Sequence, residues 1–127
     1  MVLPLYGAAP SLADSKAIVT ALTSMNQAGY ISGLTAHAGG TQAAGLPLSQ
    51  TAPLVQVDTV ATNGDSVLLP PAIPGAIMHV YNSGVATLDV YGLLTTDTIN
   101  DSLAAFTMAA STAAIFFCAK TGSWAAR

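Results

Sequence analysis

Leu54-Val55-Gln56-Val57-Asp58-Thr59-Val60, followed by Thr62-Asn63-Gly64-Asp65 and Ser66-Val67-Leu68-Leu69-Pro70-Pro71, is the stretch that decides the fold. Its first seven residues are rich in β-branched side chains and alternate: Val55, Val57 and Thr59 fall on one side, Gln56 and Asp58 on the other. A period of two marks a half-buried strand, because successive side chains of an extended chain point to opposite faces. Asn63-Gly64 is the strongest short hairpin signal, since both residues tolerate the left-handed backbone of a tight turn. Ser66–Leu69 then reads as a second short strand that stops at the proline pair.

Downstream the same texture continues. Gly75 to Tyr81 is an apolar strand broken only by His79, and Asn82-Ser83-Gly84 makes the next turn. Val85 to Tyr91 follows, with Leu88 and Val90 facing in and Asp89 and Tyr91 facing out. Thr95 to Ser102 is polar and turn-rich. Phe106, Met108, Ile115 and Phe117 mark two last strands separated by Ala109-Ala110-Ser111-Thr112. Short strands with turn signals at this spacing predict an antiparallel sandwich or a jelly-roll-like barrel over residues 54–127. With no helix between the strands, a parallel sheet is not expected. Trp124, the largest side chain, is expected to close the core against Ile77, Leu88, Val90, Phe106 and Phe117.

Upstream the pattern changes. Ser11-Leu12-Ala13-Asp14 has the shape of a capping box with Asp at its last position. Leu12, Ile18, Leu22 and Met25 recur at helical spacing up to Gly29, so residues 12–28 are predicted to form one amphipathic helix. It could pack on its own domain or dock on a neighbour. Residues 30–53 are rich in Gly and Ala and carry no charge. They are expected to form an extended arm, so that residues 1–53 contact neighbours more than they build the core.

Charge is the other unusual property. Three residues are basic (Lys16, Lys120, Arg127) and six acidic (all Asp) out of 127, against roughly 25% charged residues in ordinary domains. So few charges leave little to keep copies apart, and exposed sheet edges lack their usual lysine protection. The composition predicts a chain whose surface is largely covered by other protein. Three scattered bases offer no patch for a phosphate backbone, which excludes nucleic acid as the expected partner. A membrane anchor is not expected either. The uncharged run 102–119 is mostly Ala, Ser and Thr and fits two strands better than a spanning helix.

No catalytic, cofactor-binding or metal-ligating residue is assigned. His37 and His79 share no His-x-x-x-His or His-Glu spacing, and His79, inside an apolar strand, is expected to be buried with a ring nitrogen bonded. Ser32-Gly33 and Ser83-Gly84 lack a nucleophile-elbow context. Asp97-Thr98-Ile99-Asn100-Asp101 reads as a turn held by side-chain hydrogen bonds, not as a calcium loop. Cys118, the single cysteine, is expected to be a small buried hydrophobe. Tyr91 beside Asp89 is the one aromatic–acid pair that a glycan site could use.

Several of these motifs together carry a resemblance. Gly64-Asp65-Ser66-Val67 with Leu69-Pro70, Asn82-Ser83-Gly84, Leu88-Asp89-Val90-Tyr91-Gly92 and Asp97-Thr98-Ile99-Asn100, ending at Phe117 and Trp124, resemble small β-rich virion proteins of tailed bacteriophages. Upstream Ala38-Gly39-Gly40-Thr41-Gln42-Ala43 is similar too, so the likeness spans roughly residues 38–124. The motifs are turn and packing signals. The resemblance implies a capsid decoration (cement) protein on the outer surface of the virion. Its partners would be the major capsid protein and copies of itself, as a dimer or trimer. The alternative it implies is a head-fibre or tail-appendage module that binds a receptor or glycan.

Overall fold

The computed structural model describes residues 29–48 and 52–127. The expected helix over 12–28 lies outside the described residues. What is described is mainly β, with ten strands and no helix among the described residues. In chain order the strands are β1 (Tyr30–Thr35), β2 (Leu46–Pro47), β3 (Leu54–Thr59), β4 (Asp65–Leu68), β5 (Ile77–Asn82), β6 (Leu88–Tyr91), β7 (Thr98–Ile99), β8 (Phe106–Met108), β9 (Thr112–Lys120) and β10 (Ser123–Ala126).

The strands form two sheets, ordered β1-β3-β5-β9-β10-β7 and β2-β4-β6-β8. Up to β6 the chain alternates between them, so each pass through one sheet is followed by a pass through the other. Tyr30 thus lies beside Leu54, and Leu54 beside His79, all in parallel strands. In the other sheet Leu46 pairs with Val67, and Val67 with Val90, again in parallel. The arrangement is solenoid-like. The later strands reverse direction: β8 is antiparallel to β6, β9 to β5, and β10 to β9.

This corrects the expected antiparallel sandwich or jelly roll: the sheets are mixed. A parallel pair needs a long crossover, commonly a helix. Here the crossover is a strand of the opposite sheet with a corner at each end. The Asn63-Gly64 signal is likewise a corner, not a hairpin, because β3 and β4 belong to different sheets. Gly64 adopts φ +90°, and the Asp65 carboxylate accepts hydrogen bonds from the backbone of Ala61 and Thr62, both at 3.0 Å. The next corner stacks directly on this level. A Cβ at Gly84 would lie 2.6 Å from the Cβ and backbone nitrogen of Val60.

The stretch 30–48 is not an extended arm. It supplies β1 and β2, and Ala36 and Leu48 are buried in the core. Its strand pattern is hidden because β1 is irregular: the register shifts between Ile31 and Leu34, and Gly33 sits at φ +77°. The two residues that pack inward, Ile31 and Leu34, are therefore three apart instead of two.

Between the sheets lies one core of valines with a few large side chains. Val55, Val57, Val67, Val80, Leu88 and Val90 are all fully buried, as are Phe116 and Trp124. Phe106 meets Phe116 edge to face, with ring centroids 5.4 Å apart. Trp124 is a core residue as expected, but two of its expected neighbours are not. Ile77 and Phe117 point outward, and Met78 and Phe116 hold the inward positions. β6 alternates as expected: Leu88 and Val90 are buried and Asp89 and Tyr91 are not.

Candidate functional site

Charge is scarcer on the surface than in the sequence. Asp65 and Asp97 are buried. Asp58 and Asp89 are half-buried and hydrogen-bonded: Ser83 Oγ donates to Asp58 at 2.6 Å and Thr107 Oγ1 to Asp89 at 2.8 Å. Among the described residues only Asp101, Lys120 and Arg127 are exposed charges. The same surface exposes nine large hydrophobic side chains, including Tyr30, Ile77, Ile115 and Phe117.

Five of those nine lie together on the outer face of the six-stranded sheet. One row runs across the strands from Tyr30 through Leu54 and His79 to Ile115. A second row pairs Ile77 with Phe117. Strand alternation explains the face: Val55, Met78, Val80, Ala114, Phe116 and Cys118 take the inward positions, so their neighbours must point out. A single-sided sheet ordinarily shows polar residues there. This one shows aliphatic and aromatic residues over its centre, between a polar margin at β1 and β3 and Arg127 on the far side of β9. In that margin Tyr30 Oη donates to Gln56 Oε1 at 2.5 Å, and the Gln56 amide and the Gly33 N–H donate to Asp58. The Ser83 hydroxyl, the Gln56 amide and the Gly33 N–H together hold the Asp58 carboxyl below the usual carboxylate range.

The apolar area continues past the sheet. Ile77 shares a groove with Pro70 and Ile73, and Ile73 also lines a second groove with Pro71, Leu93, Leu94 and Gly122. Contiguous apolar area is unusual on the surface of a folded monomer.

The residues weighed for chemistry are dispersed. His37 is exposed, its backbone bridged to Ser66. His79 is exposed at the centre of the apolar face, which corrects the expectation that it is buried; the strand's outward positions are apolar, so a continuous hydrophobic run did not mean burial on both sides. Cys118 is buried, with its Sγ 3.0 Å from the Lys120 carbonyl. Asp97 accepts from the Leu94 N–H at 3.0 Å, and Asn100 is tied to the backbone of Ala126 through both side-chain atoms. Asp97 and Asn100 are thus held by side-chain hydrogen bonds, but the segment is not a plain turn: Thr98–Ile99 forms β7, paired in parallel with β10. No group of three or more metal-ligating side chains gathers among the described residues. Tyr91 Oη donates to the Gly40 carbonyl at 3.0 Å, and Asp89 is held by Thr107, so both members of the aromatic–acid pair are engaged within the fold.

The outward Ile77 and Phe117 were assigned to the core, and the apolar outer face was missed with them. The sequence does hold a signal. Met78-His79-Val80 and Phe116-Phe117-Cys118 place the polar ring of His79, which favours solvent, in phase with Ile77 and Phe117 in the register of β5 and β9.

Comparison with protein-family models, with curated proteins and with solved structures finds no match for this chain.

Proposed function

We propose that the chain is a non-enzymatic structural protein that coats a protein lattice: a capsid decoration (cement) protein on the outer surface of a tailed-bacteriophage virion. Its partners in this reading are the major capsid protein and further copies of itself, with neither nucleic acid nor membrane involved. The observation that carries the reading is the surface: nine exposed large hydrophobics against three exposed charges among the described residues. Such a surface suits a protein whose working state is bound on more than one side. Many copies on one shell add avidity, so no single contact needs to be strong. The apolar grooves around Ile73 offer one place for a shell subunit. The amphipathic sequence of residues 12–28 offers another. No helix among the described residues is long and apolar enough to cross a membrane.

The test is binding to isolated phage shells that lack decoration, followed by mass spectrometry of purified virions for copy number. Hundreds of copies per particle, and saturable binding to empty shells, are expected. A few copies per particle would place the protein in an appendage instead, and no binding to any shell would end the reading.

A further inference from the structure

We infer that the outer face of the six-stranded sheet is a self-association surface that receives a second copy of this chain about a two-fold axis parallel to β5. The argument rests on the order of residues along one row. Tyr30 pairs with Leu54, Leu54 with His79, and His79 with Ile115. Ile115 in turn exchanges both backbone hydrogen bonds with Arg127, at 2.8 and 3.0 Å. The row therefore reads Tyr30–Leu54–His79–Ile115–Arg127 across β1, β3, β5, β9 and the residue following β10. All five are exposed.

That row is complementary to its own reverse. A two-fold along the central strand sets His79 opposite its own copy and Leu54 opposite Ile115. At the ends it sets Tyr30 opposite Arg127, an aromatic ring against a guanidinium, which attract through the ring quadrupole. No acid lies on the row and Arg127 faces Tyr30, so no fixed like charges meet, and each flank matches aliphatic to aliphatic. Isologous contact of this kind is the commonest route to a closed homo-oligomer. The geometry is that of aligned sheet-on-sheet packing about 10 Å apart. The partner is thus a second copy and not a shell subunit, because the row matches itself end for end. The grooves around Ile73 stay free for the shell.

The size of the face sets the strength. Five strands about 4.8 Å apart, each about six residues long at about 3.3 Å per residue, give a face of about 24 by 20 Å, or roughly 480 Å² before side-chain relief. Stable complexes bury about 800 Å² per partner. The dimer therefore belongs to the weak, concentration-dependent class of small interfaces, favoured further where a lattice holds copies together.

The inference extends the assembly reading above, but it is tested on the isolated full-length chain without shells, so the two can fail separately. Sedimentation equilibrium of the wild type should show the average mass rising with concentration from 12.7 kDa toward twice that. Leu54→Asp and Ile115→Lys, each alone, should stay monomeric, while an equimolar mixture of the two should dimerise, because one Asp then faces one Lys across the axis. A wild type that stays monomeric throughout, single variants that still associate, or a mixture that stays monomeric would each overturn the inference. Should either variant fail to melt as the wild type does, His79→Cys in a Cys118→Ala background decides. Opposed Cα atoms about 10 Å apart are too distant for a disulfide, but a short bismaleimide should link the two thiols on the axis, and its failure to do so at concentrations where the wild type associates would refute the axis.

Discussion

Replacing Trp124 by alanine tests whether the core or an interface depends on this side chain. Trp124 is 1% exposed and sits in the cluster that includes Val90, Ile99 and Phe116. Truncating a buried tryptophan costs about 3–5 kcal/mol, from lost burial and from the cavity left behind. One correction applies. The indole Nε1 is buried without a hydrogen-bond partner, and such an orphan donor costs about 1–3 kcal/mol that its removal returns. Trp124→Ala should therefore fall near the lower end, about 3 kcal/mol, and Trp124→Phe, which removes the donor but keeps most of the ring, should cost distinctly less. In a chain of 127 residues each kcal/mol shifts the melting temperature by about 4 °C, so Trp124→Ala should melt roughly 12 °C below the wild type. The assay is thermal unfolding by calorimetry or circular dichroism, paired with shell binding at a temperature where both proteins are folded. An alanine variant with an unchanged melting temperature that no longer binds shells would refute the reasoning and make Trp124 an interface anchor.

Asn82→Leu should destabilise by at least ~2 kcal/mol, read as a lower denaturant midpoint. The Asn82 side chain donates to the carbonyls of Ala86 and Ala109 at 2.9 and 3.1 Å and accepts from the Gly84 N–H at 3.0 Å, and leaving those buried groups unpaired is costly. Asp58 has a folded-state pKa below its unfolded value, so its contribution is present above the unfolded pKa and is lost as pH falls through the folded one. Stability should thus decline on acidification below the ordinary carboxylate range, and Asp58→Asn should flatten that decline in pH-dependent urea melts; an unchanged slope would show that Asp58 has no share in it. His79→Gln should change the stability of the monomer, read in urea melts, by no more than the ~0.5 kcal/mol of a surface substitution, because the residue is exposed; a larger loss would mean that the histidine is structural after all.

Much of the strand content was legible before the fold was known, and most of the connectivity was not. Val55 and Val57, and Leu88 and Val90, read correctly because alternation is a local property of an extended chain. The turns at Asn63-Gly64 and Asn82-Ser83-Gly84 were placed correctly for the same reason. Their meaning was not, since a turn that closes a hairpin and a turn that carries the chain into a second sheet draw on the same Asn, Ser and Gly residues. Only the long-range pairing of Leu54 with His79 separates the two, and pairing partners leave no mark on local composition. β1 was lost because its irregular register breaks the period. The apolar face was lost because Ile77 and Phe117 are as hydrophobic as Met78 and Phe116, and a run apolar at every position does not say which side is in.

The strand order carries a consequence for how the chain is made. β5 and β9 are neighbours in the middle of the larger sheet, yet β9 is synthesised well after β5. At about 5–20 residues per second, the nascent protein spends seconds with the hydrogen-bonding edge of β5 open and without Phe116 and Trp124 between its sheets. Early turns can begin to stack as they emerge, but they cannot seal. That interval exposes an edge with no lysine to discourage a neighbouring ribosome's product from pairing with it. Productive folding should therefore depend on the rate of synthesis and on chaperone cover more than the finished protein's stability suggests.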